Sequence, residues 1–350
     1  MEGIRGLILV PGADERGVAY GPAPTSAALI PVANRSLIAH ALDSFRDAGL
    51  REVGVLAAPA STDALREHAG NGAAWGLRVS YLPRSGPAHA ADARRVQEFA
   101  DGRHVATIRG DGLLATPIQP YLEAFLGQEL DALLLLAEPI QRHRHPGAAQ
   151  LPARPHGLGS TEPLPALSVL AADHLALDGP PLLERTARRS FAALERLARD
   201  GCQLRTEMVH GSFTCLTDRA SVLDANQLAL ERLLPGCRRP FGAGTVVQGA
   251  AMIDETAVVQ STTIRGPVAI GPNARVRDAY IGPYTSIGQA AQVEGVEVED
   301  SVILPGASLK WLGERVHSSV IGEGARVWRD FALPKGLQLW LCNGAEVQLS

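Results

Sequence analysis

The chain has 350 residues, 46% of them hydrophobic, and a formal net charge of -4. That length and apolar content allow a large buried core and predict two structural units, while the acidic balance excludes the basic footprint of a nucleic-acid binder. No apolar run approaches the roughly 18 residues of a membrane helix and no basic stretch precedes the first apolar run, so the expectation is a soluble, cytoplasmic protein with no membrane partner.

Four cysteines, Cys202, Cys215, Cys237 and Cys342, show no CxxC spacing and read as buried thiols rather than as a disulfide framework or metal site. The lysines are Lys310 and Lys335 alone. Before residue 310 arginine therefore carries the positive charge, and no lysine there is available for catalysis.

In chain order, Leu7, Ile8, Leu9 and Val10 form a continuous apolar run that fits a parallel central strand. A glycine-bearing loop, Pro11 to Arg16, follows directly. It sets backbone N–H groups at the carboxyl end of a sheet, where open α/β folds bind ligands. Leu37 to Ala48 has helical spacing and stops at Gly49. Glu52 to Ala57 reads as a strand, Thr62 to His68 as a helix ending near Gly70, and Leu77 to Leu82 as a strand. This βαβαβ order predicts a doubly wound α/β sheet. Further strands are expected up to the Gly-Asp-Gly turn in VATIRGDGLL (Val105 to Leu114), at Asp131 to Glu138 and at Leu204 to Met208. An amphipathic, solvated helix is expected at Leu182 to Ala198. Between them, 139–159 is rich in His, Arg, Pro and Gly, and His143 and His145 have no third ligand at metal spacing, so the segment reads as a loop.

From Ala243 the texture changes to hexapeptides: Ile264, Ile270 and Val276, then Ile281, Ile287 and Val293, keep an aliphatic residue at every sixth position, often followed by Gly. Ile303 to Leu309 and Ile321 to Val327 continue the pattern. It predicts a parallel β-helix over 240–350, behind an α/β unit over 1–239. The step from Val276 to Ile281 is one residue short, which predicts a corner irregularity. His317 is the sole histidine among the repeats and reads as a polar turn residue. The apolar segment Leu333 to Ser350 is suited to capping the open end or to packing on a second chain, which predicts a homo-oligomer.

The opening GLILVPGADERGVAYGPAPTSAALIPVANRS resembles the signature GLILAGGxGTRLxPxTxxxPKxLxPVxNKP of sugar-1-phosphate nucleotidylyltransferases, in particular the long glucose-1-phosphate thymidylyltransferases with a repeat tail. Gly12, Arg16, Leu29, Pro31, Val32 and Asn34 match. Pro11, Asp14 and Glu15 replace the Gly, Gly and Thr of the phosphate loop, and Ala27 replaces the lysine. YLPRSGPAHA resembles the nucleobase segment at Gly86, Ala88, His89 and Ala90, with Pro83 in place of the Gln. His89 reads equally as a packed residue at a helix start. The turn at Asp111 resembles the family's GDN, whose Asp holds magnesium; the alternative is a turn aspartate favoured by its own backbone hydrogen bonds. Ala153-Arg154-Pro155 lies where the family has Glu-Lys-Pro. GSFTCLTDRASVLDAN resembles GxWxDTGTxxxLLxAN at Leu223, Ala225 and Asn226, while Cys215 takes the place of the second metal-binding Asp.

The resemblance implies an α/β domain followed by a left-handed β-helix. It implies a degenerate site with Arg16 and Asp111 as catalytic residues, Asp111 as ligand of a weakly held Mg2+, Gly12, Gly86 and His89 at the nucleotide, and Arg154 at the sugar phosphate. The family's reaction is attack of a sugar phosphate on the α-phosphate of a nucleoside triphosphate, with alignment, cations and a metal supplied by the protein. With the lysine, the second carboxylate and the glycine pair replaced, the expectation is impaired catalysis. The chain would then act as a binding, scaffolding or regulatory subunit, alone or with an active paralogue. The alternative is a divergent active enzyme, with Arg35 or Arg154 substituting for the lysine.

Overall fold

A computed structural model gives the architecture and describes residues 1–11, 26–84, 89–138, 140, 163–175, 194–232, 244–329 and 339–340. The first part contains β1 (Ile4–Leu9), β2 (Pro31–Val32), β3 (Arg35–Ser36), α1 (Leu37–Asp47), β4 (Glu52–Ala57), α2 (Pro59–Ala69), β5 (Arg78–Pro83), α3 (His89–Ala100), β6 (His104–Arg109), β7 (Gly112–Leu114), α4 (Gln119–Gly127), β8 (Ala132–Ala137), β9 (Leu164–Leu170), β10 (Leu204–Val209), β11 (Phe213–Cys215) and α5 (Arg219–Leu230).

Seven strands form one sheet in the order β10-β8-β9-β6-β1-β4-β5. β1 lies between β4 and β6, parallel to both, and Leu7 and Ile8 are fully buried, as expected of a continuous apolar run covered on both faces. β9 runs antiparallel to β6 and β8, a reversal the βαβαβ pattern did not anticipate. Its run LPALSVL is buried on both faces, so it lacks the alternation that marks a half-exposed strand. α4 was also unanticipated. Of the helix expected at Leu182 to Ala198, 194–199 is described and helical; the loop with His143 and His145 lies outside the described residues.

The C-terminal part is a left-handed parallel β-helix with three flat sides. Val247, Ile264, Ile281, Val298 and Val316 pair in register along one side. Ile253, Ile270, Ile287, Ile303 and Ile321 follow the second, and Val259, Val276, Val293, Leu309 and Val327 the third. The short step from Val276 to Ile281 is not an irregularity. It recurs from Val259 to Ile264 and from Val293 to Val298, and at this corner Ser261, Asp278 and Gly295 have φ of 47°, 47° and 62°. Each of these residues turns the chain in the left-handed region, as Asn273, Tyr284 and Ala290 also do within six-residue steps. At the far end Leu339–Trp340 pairs antiparallel with Arg326 and Val327 of the last coil, which covers part of the exposed strand edge.

The connection between the two parts, 233–243, lies outside the described residues, and with it the expected boundary at 239/240. Among the described residues no helix is long and apolar enough to cross a membrane.

Candidate functional site

The carboxyl ends of β1 and β6 meet at the Gly110-Asp111-Gly112 turn. Gly110 N–H donates to Leu9 O at 2.8 Å, and a Cβ on Gly110 would come within 2.9 Å of a Val10 methyl. Only a residue without a side chain lets β6 close on β1 so tightly. Gly112 pairs with Cys215 across the β7–β11 ladder, and a Cβ there would meet the Phe213 ring at 2.9 Å. The two glycines are thus explained by close packing, and they hold Asp111 between β1 and β11.

Asp111 is 3% exposed. Both of its oxygens are taken: Arg109 Nε donates to Oδ1 at 3.0 Å and Nη2 to Oδ2 at 2.7 Å. Arg109 is equally buried at 5% exposure. Burial alone would lower its pKa, but the Asp111 carboxylate and the Cys215 sulfur, which also accepts from it, hold it above the usual arginine range. Forked guanidinium–carboxylate pairing of this kind has strong, fixed geometry. The result is a compact cluster in which a guanidinium lies against the two positions that the resemblance assigns to metal ligands.

A magnesium ion does not fit this donor set. Mg2+ takes oxygen ligands, whereas Cys215 supplies sulfur and the forked pairing sets the Arg109 guanidinium across the Asp111 carboxylate. A divalent ion about 4 Å from the guanidinium would meet repulsion of about 8 kcal/mol at an effective dielectric of 20. Charge balance is kept in another way, since one carboxylate facing one guanidinium is neutral, as two carboxylates facing a divalent cation would be.

The matched signature residues do a different job. Pro31-Val32 and Arg35-Ser36 form a two-residue hairpin whose tip, Ala33 and Asn34, has φ of 47° and 63°, the paired positive φ of a tight type I′ turn. Asn34 Nδ2 donates to Ile287 O of the β-helix at 2.9 Å. Asn226 on α5 is fully buried; its Oδ1 accepts from Ala33 N at 3.0 Å and Ser286 Oγ at 2.5 Å, and its Nδ2 donates to Tyr284 O at 2.8 Å. One asparagine therefore ties hairpin, helix and β-helix together. Around it Val32, Leu37, Val222, Leu223, Ala225 and Val302 belong to a shared apolar cluster. Ala27, at the lysine position, is buried in the same cluster.

Of the expected site residues, Asp111 is brought to the sheet's carboxyl end beside Arg109 and Cys215. Gly12, Arg16, Gly86 and Arg154 lie outside the described residues, and for His89 the description extends only to its backbone, at the start of α3. Arg35, considered as a substitute for lysine, is ion-paired with Asp43 at 2.7 Å on α1. His317 faces Glu299 at 3.6 Å on the β-helix surface. Arg109, the last residue of β6, is a site residue that the motif reading did not include; Asp111 lies in the turn beyond the strand, so strand alternation does not foretell their pairing.

A parallel-centred α/β sheet joined to a left-handed β-helix, with an acidic turn at the carboxyl end of β6, defines a nucleotidyltransferase-like protein. No family model matches the chain. It is similar, at 28% identity over 333 residues, to a glucose-1-phosphate thymidylyltransferase of Streptomyces griseus, covering 92% of this chain and 93% of that protein. The corresponding protein of Streptomyces antibioticus is 26% identical with the same coverage. The low-salt glycan biosynthesis nucleotidyltransferase Agl11 of Haloferax volcanii is 26% identical over 339 residues, again 92% of this chain and 93% of that protein. A Bacillus anthracis structure described as a glucose-1-phosphate thymidylyltransferase, in complex with sucrose, superposes with a TM-score of 0.50 at 18% identity, covering 67% of this chain and 98% of that one; this likeness concerns the fold. The chain is thus related to the sugar-1-phosphate nucleotidylyltransferases.

Proposed function

We propose that this chain is a nucleotidylyltransferase-like protein with impaired catalysis, serving as a binding, scaffolding or regulatory subunit in a sugar or secondary-metabolite pathway. The observation that carries this reading is the Arg109–Asp111 pair, which sets a buried guanidinium against the residue that the resemblance assigns to the divalent cation. Three sequence features support it: Asp14 and Glu15 stand in the phosphate loop, Ala27 replaces the lysine and Cys215 the second carboxylate. Loss of one preorganised electrostatic group from such a site lowers rate by about 100-fold to 1000-fold, and several are absent together. The ligand class is a sugar phosphate or nucleotide, held by Gly12, Gly86, His89 and Arg154 rather than through Mg2+. Assembly through the β-helix, with a second copy or an active paralogue, is part of the same proposal.

A second reading, an active sugar-1-phosphate nucleotidylyltransferase, draws on the full-length likeness to proteins named for that activity. In it Arg35 or Arg154 substitutes for the lysine. The two readings separate on pyrophosphate release from a panel of nucleoside triphosphates and sugar 1-phosphates, with and without Mg2+. The impaired reading expects release indistinguishable from a protein-free control, together with ligand-induced thermal stabilisation that Mg2+ does not alter. Turnover of about 1 per second or faster, the ordinary range for enzymes, overturns it.

A further inference from the structure

At the opposite end of the sheet three side chains from distant parts of the chain come together. Asp131 directly precedes β8, His174 ends the single 3₁₀ turn after β9, and Cys202 lies in the turn before β10. The strand order β10-β8-β9 with β9 antiparallel makes this meeting obligatory, since the beginnings of β8 and β10 and the end of β9 share one edge of the sheet. The main chain holds the edge closely. Asp131 N donates to Gln203 O at 2.9 Å, Ala171 N to Asp131 O at 2.9 Å, and Gln203 N to Asp131 Oδ2 at 2.7 Å.

The remaining donor atoms converge. Asp131 Oδ1 is 3.2 Å from His174 Nε2, Cys202 Sγ is 3.7 Å from the same nitrogen, and one ligand atom from each residue lies within 4.8 Å of the others. The geometry excludes a nucleophile–base–carboxylate relay, in which the thiol and carboxylate would address opposite nitrogens of the imidazole. Here both address Nε2. A single N–H at that atom can serve only one of them well, whereas a cation at the point of convergence serves all three. The separations also suit tetrahedral zinc. With Zn–N of about 2.0–2.1 Å and Zn–S of about 2.3 Å, the N···S edge of a tetrahedron is about 3.5 Å and the N···O edge about 3.3 Å. The side chains of His174 and Asp131 are 20% and 33% exposed, which leaves room for water as fourth ligand.

The local charge favours a cation. No arginine or lysine ion pair reaches Asp131, Asp173 or Asp200 among the described residues, whereas arginines pair with Glu52, Asp92 and Asp111. We propose that Asp131, His174 and Cys202 form a binding site for a soft divalent transition metal of the zinc class, clamping the ends of β8, β9 and β10. The site is independent of the nucleotide end of the sheet and of whether the protein is catalytic.

Co2+ titration of the chelator-stripped full-length protein tests this, because a thiolate ligand gives Co2+ a near-ultraviolet charge-transfer band and a tetrahedral site gives it intense visible bands. Both are expected in the wild type, saturating at one equivalent and displaced by Zn2+. Cys202→Ser is expected to lose the charge-transfer band and His174→Gln to weaken Co2+ binding at least tenfold, with far-ultraviolet circular dichroism confirming that each variant is folded. Zn2+ is expected to raise the melting temperature of the wild type and not that of Cys202→Ser. Absence of the charge-transfer band in the wild type overturns the proposal whatever the variants do, as does a band that persists unchanged in Cys202→Ser.

Discussion

Two buried polar clusters of this molecule, both on segments matched to the same signature, have gone separate ways. At the joint between the sheet and the β-helix, Asn34 and Asn226 stand as the signature has them, and each hydrogen bonds across the joint. At the carboxyl end of β6, Asp111 remains, but its partners are Arg109 and Cys215 rather than a second carboxylate. The contrast separates the two functions packed into one motif. A residue that satisfies backbone groups inside the fold cannot be exchanged without stranding those groups, whereas a residue that faces a ligand is free to change once the ligand is no longer handled in the old way. Preserved joints beside a changed set of partners at Asp111 are what the proposed impairment of catalysis expects.

The comparison breaks most readily at Arg109. Replacing it with Met leaves the Asp111 carboxylate buried and unpaired, at an expected cost of about 3–5 kcal/mol by equilibrium urea unfolding. Removing both charges, Arg109→Met with Asp111→Leu, should recover much of that loss. Addition of Mg2+ decides what the seat is: if Mg2+ alone restores the stability of Arg109→Met, the position still accepts a divalent ion and the guanidinium stands in for it directly. A cost under about 1 kcal/mol, the range of exposed pairs, would mean that water reaches Asp111 and that the seat is not closed.

Asn226→Ala sharpens the other side. It strands Ala33 N–H, Ser286 O–H and the Tyr284 carbonyl, and at about 1–3 kcal/mol for each buried unsatisfied group the loss should be at least about 3 kcal/mol. Splitting of a single unfolding transition into two, seen by calorimetry, would mark this joint as what makes the parts unfold together. Removal of 240–350 is a harsher version of the same test, because it uncovers Val222 and Leu223 on α5. The shortened chain should associate or precipitate, as light scattering would report.

The smallest effect concerns pH. His40, beside the hairpin, has its pKa lowered by burial, against the upward pull of its Val32 backbone hydrogen bond. His104 is lowered in the same way by burial. A histidine whose folded pKa lies below its unfolded value binds fewer protons in the folded state, so stability falls as pH drops below about 6.5. His40→Gln should flatten that decline below about pH 6.5 in pH-dependent unfolding.

Several features of this protein were legible without any coordinates. A continuous apolar run at Leu7 to Val10 has no polar side to expose, so it had to be a central strand. Aliphatic residues recurring along the C-terminal part had to line the inside of a coil, because each is separated from the next by polar or turn residues that cannot be buried. Asn34 and the α5 asparagine were visible as matches, though not as a joint. The tertiary structure alone decided which groups meet. Arg109 and Asp111 are neighbours in sequence, yet only the close approach of β1 and β11, permitted by Gly110 and Gly112, turns them from a surface pair into a sealed one. Asp131, His174 and Cys202 carry no local spacing at all. They share an edge because β9 runs against its neighbours, and strand direction is set by the packing of the whole sheet, which no short stretch of chain encodes.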